Sequence, residues 1–243
     1  MFQLLRFLEL LQTVGALPWP SSDPIFGWHG RCRSNHYLLE GNYERDQHLV
    51  DLLILRHGQS EWNAEGKWQG QADPPLTELG EKQAKAAAQK LLSVGHGFDK
   101  ITSSDLRRAR RTAEIIAQVI GGDVSVYKEF RERDAGAWQG LTRSEIETSW
   151  PNAIADQRWP EGYESDDAVV HRVMPCLERL RGDYKNILLI GHAGLIRALD
   201  RFNDAEEASI TNHLSGRWYQ LNDGLVPKNT ADFSTEALAH GLE

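Results

Sequence analysis

Residues 49–63 read LVDLLILRHGQSEWN, a short apolar run followed at once by an arginine, a histidine and a glycine. Residues 49–55 are almost continuously apolar, as expected for a strand that is buried on both faces of a sheet. A second run of this kind, ILLI at 187–190, is also followed by a glycine and a histidine, Gly191 and His192. The two runs predict two central strands, each of which leads directly into polar residues.

Helix-like and strand-like segments alternate around these two runs. Four segments have the composition and periodicity of helices: 77–94 with Thr77 as N-cap, 105–120, 165–180, and one from about residue 195. Three further segments are short strand candidates: 100–102, 124–127 and, as a last strand, 218–221. Strands that alternate with helices predict the α/β class with a mostly parallel central sheet.

The composition of the chain excludes several classes of protein. With 243 residues, of which 40% are hydrophobic and 26% charged, the chain is not globally disordered. Its net charge of −8 disfavours nucleic acid and anionic membranes as partners. Two cysteines, Cys32 and Cys176, cannot build a disulfide framework, and no apolar run approaches the ~18 residues that span a bilayer. We therefore expect a cytoplasmic protein whose partner is a small molecule. A homodimer is possible.

The first 48 residues contain no recognisable chemistry. They predict an N-terminal extension of unknown role ahead of a domain at 49–243. Charged residues interrupt the apolar start of the chain, so it does not fit a signal peptide. His29, Cys32 and His36 would supply three metal ligands without a clear fourth, which disfavours a metal site.

Chemically active side chains follow both buried strands. In open α/β sheets, ligands bind beyond the carboxyl ends of the strands, and the sequence places Arg56, His57 and His192 there. Two imidazoles at corresponding strand ends predict one shared site. The arginine-rich stretch 103–111 is either a solvated helix face or a helix start where one arginine turns inward to an anion. Spacing alone favours a surface ion pair for Glu132.

Four blocks of the sequence together resemble the signature blocks of the histidine phosphatase superfamily, which includes the phosphoglycerate mutases. The blocks are LRHGQSEWN at 55–63, SSDLRRARRTAE at 103–114, RERDAGAWQG at 131–140 and GHAG at 191–194. They occur in the order of the family, and the resemblance covers about residues 49–223. It implies a three-layer α/β/α sandwich with a small cap insertion at about 141–166.

The resemblance also implies a role for individual residues. His57 matches the nucleophile that becomes phosphorylated, and Glu132 matches the residue that protonates the leaving group. The positions that match the phosphoryl-binding pocket are Arg56, Asn63, Gln69, Arg108, His192 and Ala193. Arginine and imidazole groups stabilise charge in such a pocket, so the resemblance implies neither a metal ion nor a cofactor.

Two features favour hydrolysis over isomerisation. Residues 63–73 are similar to the phosphatase branch, and the interval from Glu132 to His192, 60 positions (192 − 132), is shorter than in the mutases. We therefore expect a metal-independent phosphatase that acts on a small phosphorylated metabolite, a sugar phosphate or a phosphoglycerate-type compound. A cofactor-dependent phosphoglycerate mutase is the alternative. A non-catalytic binding module is disfavoured, because the principal positions are intact.

The motifs assign no definite role to several aromatic residues and histidines. Tyr163 replaces the second glycine of the Gly-Gly-Glu-Ser segment that the family carries, which leaves the backbone geometry there uncertain. Four tryptophans either line a substrate cleft or pack beneath the motifs: Trp62, Trp68, Trp138 and Trp159. Five histidines belong to no motif and are expected to be surface or packing residues: His48, His96, His171, His213 and His240.

Overall fold

The computed structural model describes residues 49–205 and 212–234. The predicted N-terminal extension, with His29, Cys32 and His36, lies outside the described residues. The domain boundary after residue 48 therefore stays a prediction. Within the described ranges, no helix has the length and apolar character needed to cross a membrane.

Along residues 49–205 and 212–234, six strands and six helices follow one another. The strands are β1 (Val50–Arg56), β2 (Lys100–Ser104), β3 (Val124–Tyr127), β4 (Asn186–Gly191), β5 (Ser215–Leu221) and β6 (Leu225–Asp232). The helices are α1 (Glu61–Ala64), α2 (Glu78–Val94), α3 (Arg107–Ile120), α4 (Arg143–Ser149), α5 (Asp166–Arg181) and α6 (Ala193–Phe202), and 3-10 turns lie at Lys128–Phe130 and Gly136–Trp138.

The sheet is mostly parallel, as predicted. Its strand order is β3-β2-β4-β1-β5-β6, and β1 to β4 run parallel to one another. β5 pairs antiparallel with β1, and the edge strand β6 pairs antiparallel with β5. β1 and β4 therefore occupy the interior of the sheet, where both faces of a strand are covered, and this explains their nearly continuous apolar sequences.

Helices cover both faces of the sheet. On one face, Leu53 and Leu55 of β1 pack in a core cluster with residues of α2 and α3. Side chains alternate along a strand, so Leu52 lies on the opposite face. Tyr219 pairs with Leu52 and donates a hydrogen bond of 2.7 Å to Asp200 of α6. Because α6 packs on α5, this second face is covered by the α5–α6 pair. The predicted three-layer sandwich is confirmed.

Two features of the fold differ from the predictions. α3 begins two residues later than predicted, because its N-cap residue Leu106 has an extended backbone. The Asp105 carboxylate binds the Arg131 guanidinium through two hydrogen bonds of 2.7 Å. β5 is longer than predicted and is followed by β6, so residues 218–221 are not the last strand. β6 contains Pro227 and the exposed Lys228, which are typical of a sheet edge.

The segment predicted as a cap, 141–166, contains α4 and packs on Trp138 in a small apolar cluster. Trp138, Ile146 and Ala153 form this cluster, and all three are buried. Thr142 caps α4 through a capping box with Glu145. Packing and capping thus give this short segment a defined conformation beside the sheet.

The close approach of β5 to β1 can be tested at Gly216, because a Cβ at this position would lie 1.8 Å from the carbonyl oxygen of Ile54 in β1. We expect Gly216→Ala to lower the free energy of unfolding by about 1–3 kcal/mol, as overpacking does. Gly224→Ala is the matched control, since a Cβ there meets no atom within 4 Å. Urea denaturation measures both variants. Equal midpoints for the two variants would contradict the close approach of β5 to β1.

Candidate active site

β1 and β4 bring their polar ends together at the carboxyl edge of the sheet. The two strands are parallel neighbours with Arg56 opposite Gly191, so a histidine follows at the same level in each. The ring centroids of His57 and His192 lie 5.2 Å apart, with the ring planes at 65°. Both rings are buried. The structure therefore brings the two strand-end histidines together, which the predicted shared site requires.

The hydrogen bonds of His57 fix its tautomer. Its Nδ1 lies 2.6 Å from the carbonyl oxygen of Gly58, which can only accept, so Nδ1 carries the proton. Nε2 accepts a hydrogen bond of 3.2 Å from Nε of Arg108. Burial, followed by the charge of Arg108, lowers the pKa of His57 well below 6.5. The ring is therefore neutral at pH 7, and Nε2 carries no proton, so its electron pair accepts the hydrogen bond from Arg108.

One arginine of the 103–111 stretch turns inward, and the others stay at the surface. Arg108 is fully buried, and its Nη1 and Nη2 donate to the carbonyl oxygens of Ala72 and Gly70 at 2.6 and 2.9 Å. Arg110 and Arg111 form exposed ion pairs with glutamates. The stretch thus combines a solvated helix face, at Arg110 and Arg111, with one inward arginine, Arg108.

Arg56 and His192 complete the interior of the site. Burial lowers the pKa of Arg56 to about 10, although the charge of Glu132 opposes this shift. Arg108 also has its pKa lowered to about 10, chiefly by burial, and both guanidinium groups remain charged at pH 7. Burial lowers the pKa of His192 well below 6.5. Within the described ranges, no hydrogen bond reaches either ring nitrogen of His192.

Glu132 is held over the site by two backbone N–H groups. Its Oε1 accepts from the N–H of Arg133 at 2.8 Å, and its Oε2 accepts from the N–H of Gly194 in α6 at 3.1 Å. A Cβ on Gly194 would lie 2.3 Å from Oε1, so only glycine leaves room for the carboxylate there. The expectation from spacing alone, a surface ion pair for Glu132, is therefore wrong.

Asn63 and Gln69 meet at the hydroxyl group of Ser60. Ser60 is the N-cap of α1, and its Oγ lies 3.0 Å from Oδ1 of Asn63 and 2.7 Å from Oε1 of Gln69. The one hydroxyl hydrogen can serve Gln69, because the backbone N–H of Ser60 donates to Oδ1 of Asn63 at 3.2 Å. Both carboxamide oxygens are therefore used as acceptors by the protein. Their NH₂ groups are the donors that remain for a ligand in the pocket that both residues line.

A pocket of about 320 Å³ opens above these groups, which is large enough for a small metabolite. Seven of the eight predicted site residues line it: Arg56, His57, Asn63, Gln69, Arg108, Glu132 and Ala193. His192 lies behind them, in contact with His57. The remaining lining includes cations and aromatic rings that match none of the family's catalytic or phosphoryl-binding positions: Lys67, Trp68, Arg133, Trp159, Tyr163, Arg197 and Arg201.

The four tryptophans divide between cleft and core. Trp68 and Trp159 line the pocket, and Trp159 stacks on Tyr163 with a centroid distance of 4.5 Å. Trp138 is fully buried and packs beneath the cap segment. Trp62 is not part of the pocket lining. Both interpretations offered for these residues are thus realised, at different positions.

His213 was missed by the sequence analysis, which expected a surface or packing residue. Its ring centroid lies 6.0 Å from that of His57, and its Nδ1 lies 3.1 Å from the His57 carbonyl oxygen. Burial, followed by the charge of Arg56, lowers its pKa to about 3. Only the strand topology indicates this position. Residues that precede a strand antiparallel to β1 lie beside the carboxyl end of β1, and His213 precedes β5.

Comparison with known proteins identifies relatives that share this site region. Residues 52–212 match the histidine phosphatase superfamily (branch 1). Glucosyl-3-phosphoglycerate phosphatase of Mycolicibacterium vanbaalenii is 40% identical over 162 residues, which are 61% of this chain and 71% of that protein. Probable phosphoglycerate mutase GpmB of Citrobacter koseri is 38% identical over 154 residues, which are 59% of this chain and 70% of that protein.

A solved structure leads to the same family. Mycobacterial glucosyl-3-phosphoglycerate phosphatase in complex with VO₃ has a TM-score of 0.65 at 33% identity, and the match covers 76% of this chain and 100% of that one. The family match spans more than half of the chain and includes both strand-end histidines. The chain therefore belongs to branch 1 of the histidine phosphatase superfamily.

Proposed function

We propose that His57 is the nucleophile of this phosphatase. Nε2 attacks the phosphorus atom of a phosphomonoester, so that an N–P bond forms as the P–O bond to the leaving group breaks. Water then attacks the phosphohistidine, the N–P bond breaks, and its electron pair returns to Nε2. The observation that carries this proposal is the tautomer of His57, which leaves the Nε2 electron pair available beside Arg108.

The surrounding groups fit the binding of a phosphoryl group. Arg56 and Arg108 supply positive charge, and Asn63 and Gln69 supply neutral donors. A phosphoryl oxygen would give the buried ring of His192 the hydrogen-bond partner that it otherwise lacks within the described ranges. The backbone at Ala193 borders the same pocket. Guanidinium groups thus provide the charge stabilisation that metal ions provide in other phosphoryl-transfer enzymes, and the mechanism requires no metal.

Glu132 is proposed to move the proton in both half-reactions. It gives a proton to the leaving oxygen in the first step and takes one from the attacking water in the second. The two backbone hydrogen bonds fix its carboxylate at the pocket wall. A fixed position suits a group that must serve two different oxygen atoms at nearly the same place.

The substrate is proposed to be a small phosphorylated metabolite, either a sugar phosphate or a phosphoglycerate-type compound. The relatives carry both phosphatase and mutase names, and the short interval between Glu132 and His192 supports hydrolysis. A phosphate-release screen over sugar phosphates, 3-phosphoglycerate and glucosyl-3-phosphoglycerate tests the proposal. Conversion of 3-phosphoglycerate into its isomer without release of phosphate would favour the mutase instead.

Removal of the nucleophile should abolish turnover. We expect His57→Ala to reduce phosphate release from p-nitrophenyl phosphate at least about 10³-fold, because the proposed phosphoenzyme forms on Nε2 of His57. An acid-labile phosphoenzyme, trapped with ³²P-labelled substrate, should disappear as well. His171→Ala, at an exposed position of α5, is the control. Retention of the labelled phosphoenzyme in His57→Ala would refute the assignment.

The role of Glu132 predicts a dependence on the leaving group. Glu132→Gln should slow the first turnover about 10²-fold or more for alkyl phosphates, which leave as poor alkoxides, and much less for p-nitrophenyl phosphate. Rapid-quench measurement of the burst isolates this step from the hydrolysis of phosphohistidine. Glu161→Gln, an exposed residue of the cap segment, serves as the control. Equal losses for both substrates would rule out protonation of the leaving group by Glu132.

A further inference from the structure

The pocket contains more positive charge than one phosphoryl group requires. Among the described residues, its lining has one carboxylate, that of Glu132, and six basic residues: Arg56, Lys67, Arg108, Arg133, Arg197 and Arg201. A phosphomonoester brings at most two negative charges, which Arg56 and Arg108 are sufficient to balance. The remaining basic residues therefore need either partners in the protein or a second negative group in the ligand.

Three of these four residues have partners in the protein. Lys67 lies 2.6 Å from Glu65, and Arg133 and Arg201 both form ion pairs with Asp166. Arg197 has no hydrogen bond or ion pair with any of the described residues. Its charge acts on Arg56, whose pKa it lowers, so Arg197 lies near the phosphoryl-binding groups.

We propose that Arg197 forms a second anion subsite, which binds a carboxylate of the substrate while Arg56 and Arg108 hold its phosphoryl group. One guanidinium group matches a carboxylate in both charge and bidentate geometry. This inference rests on the proposed function and narrows it, since it assigns the substrate to the phosphorylated carboxylic acids. Arg197 is then a residue that determines specificity.

The test compares two substrates that differ only in the acid group. 3-Phosphoglycerate carries a carboxylate where glycerol 3-phosphate carries a hydroxymethyl group. We expect the wild-type protein to favour 3-phosphoglycerate at least about tenfold in kcat/KM, as a charge-assisted hydrogen bond allows. Arg197→Met should bring this ratio close to one, and Arg197→Lys should keep part of it. Arg110→Met, at the exposed surface of α3, is the control for charge removal elsewhere.

The outcomes separate this inference from the proposed function. If the wild-type protein does not hydrolyse p-nitrophenyl phosphate, the proposed function fails. If it does, but shows no preference for the acid or retains the preference in Arg197→Met, the anion subsite alone is refuted. Thermal unfolding of Arg197→Met shows whether the variant is folded, and Arg197→Lys provides an independent comparison if it is not.

A separate observation concerns the peptide unit that joins His57 to Gly58. Its carbonyl oxygen lies 3.1 Å from Nδ1 of His213, and its N–H donates to Oγ1 of Thr112 at 3.1 Å. Thr112 in turn donates to the carbonyl oxygen of Arg108 at 2.7 Å. The next carbonyl along the chain, that of Gly58, binds Nδ1 of the His57 ring. The orientation of this peptide unit therefore affects the placement of the ring.

We infer that His213 is a positioning residue for the nucleophile. Since a carbonyl oxygen only accepts, Nδ1 of His213 donates, and it holds one end of the peptide unit while Thr112 holds the other. The N–H of Leu214 donates to the carbonyl oxygen of Arg56 at 3.0 Å, which fixes His213 beside the end of β1. His213 thus acts through His57 and needs no contact with the substrate.

Two substitutions distinguish this role from simple packing. The NH₂ group of asparagine can replace the Nδ1 donor, whereas that of glutamine reaches the position of Nε2. We expect His213→Asn to keep kcat within about threefold, and His213→Gln to lower the rate of phosphohistidine formation about ten- to hundredfold with little change in KM. Rapid-quench measurement of the phosphoenzyme provides the readout. A packing role predicts the opposite order, because glutamine is closer to histidine in volume, and that order would overturn the inference.

Discussion

The parallel pairing of β1 with β4 is the constraint on which the site depends. Its register places Arg56 opposite Gly191, so the residues that follow, His57 and His192, leave the sheet side by side. The two strands are 135 positions apart in the chain at this point (192 − 57). A shift of the register by one residue would turn the side chains of β1 to the opposite face. Leu53 and Leu55 would then leave the core cluster that they form with α2 and α3, so this packing keeps the imidazoles together.

Burial of these charged and titratable groups gives the site its chemical character. Removal from water keeps His57 neutral and, together with the Gly58 carbonyl, leaves its electron pair on Nε2. The same burial would destabilise Arg108 if backbone carbonyl oxygens of residues 70 and 72 did not accept its N–H groups. The loop that follows α1 is therefore part of the site's electrostatics, because it fixes a charged group in a place with little solvent.

The sequence predicts the parts of this structure that depend on local pattern. Buried strands, the capped helix α2 and the inward turn of Arg108 follow from apolar periodicity, from Thr77 as a cap, and from the family blocks. β6 was missed because Pro227 and a polar sequence conceal an edge strand. His213 was missed because its proximity to His57 arises from strand pairing, which no local pattern encodes. Arg197 was missed for a related reason, since only the assembled pocket shows that it has no ion-pair partner among the described residues.

Tyr163 shows how the chain accommodates a departure from its family. The residue with left-handed backbone in this segment is Gly162, with φ of 78°. Tyr163, which replaces a glycine of the family, has a negative φ, so its side chain causes no backbone strain. Its ring stacks on Trp159 and lies under the Arg133 guanidinium, 5.2 Å from the ring centroid. Next to it, Glu164 binds Arg172, which also donates to the carbonyl oxygen of Glu132 at 3.2 Å. The segment that borders the pocket is thereby connected to the loop that carries the proposed proton donor, so a substitution at Tyr163 can alter the pocket wall and the position of Glu132 together.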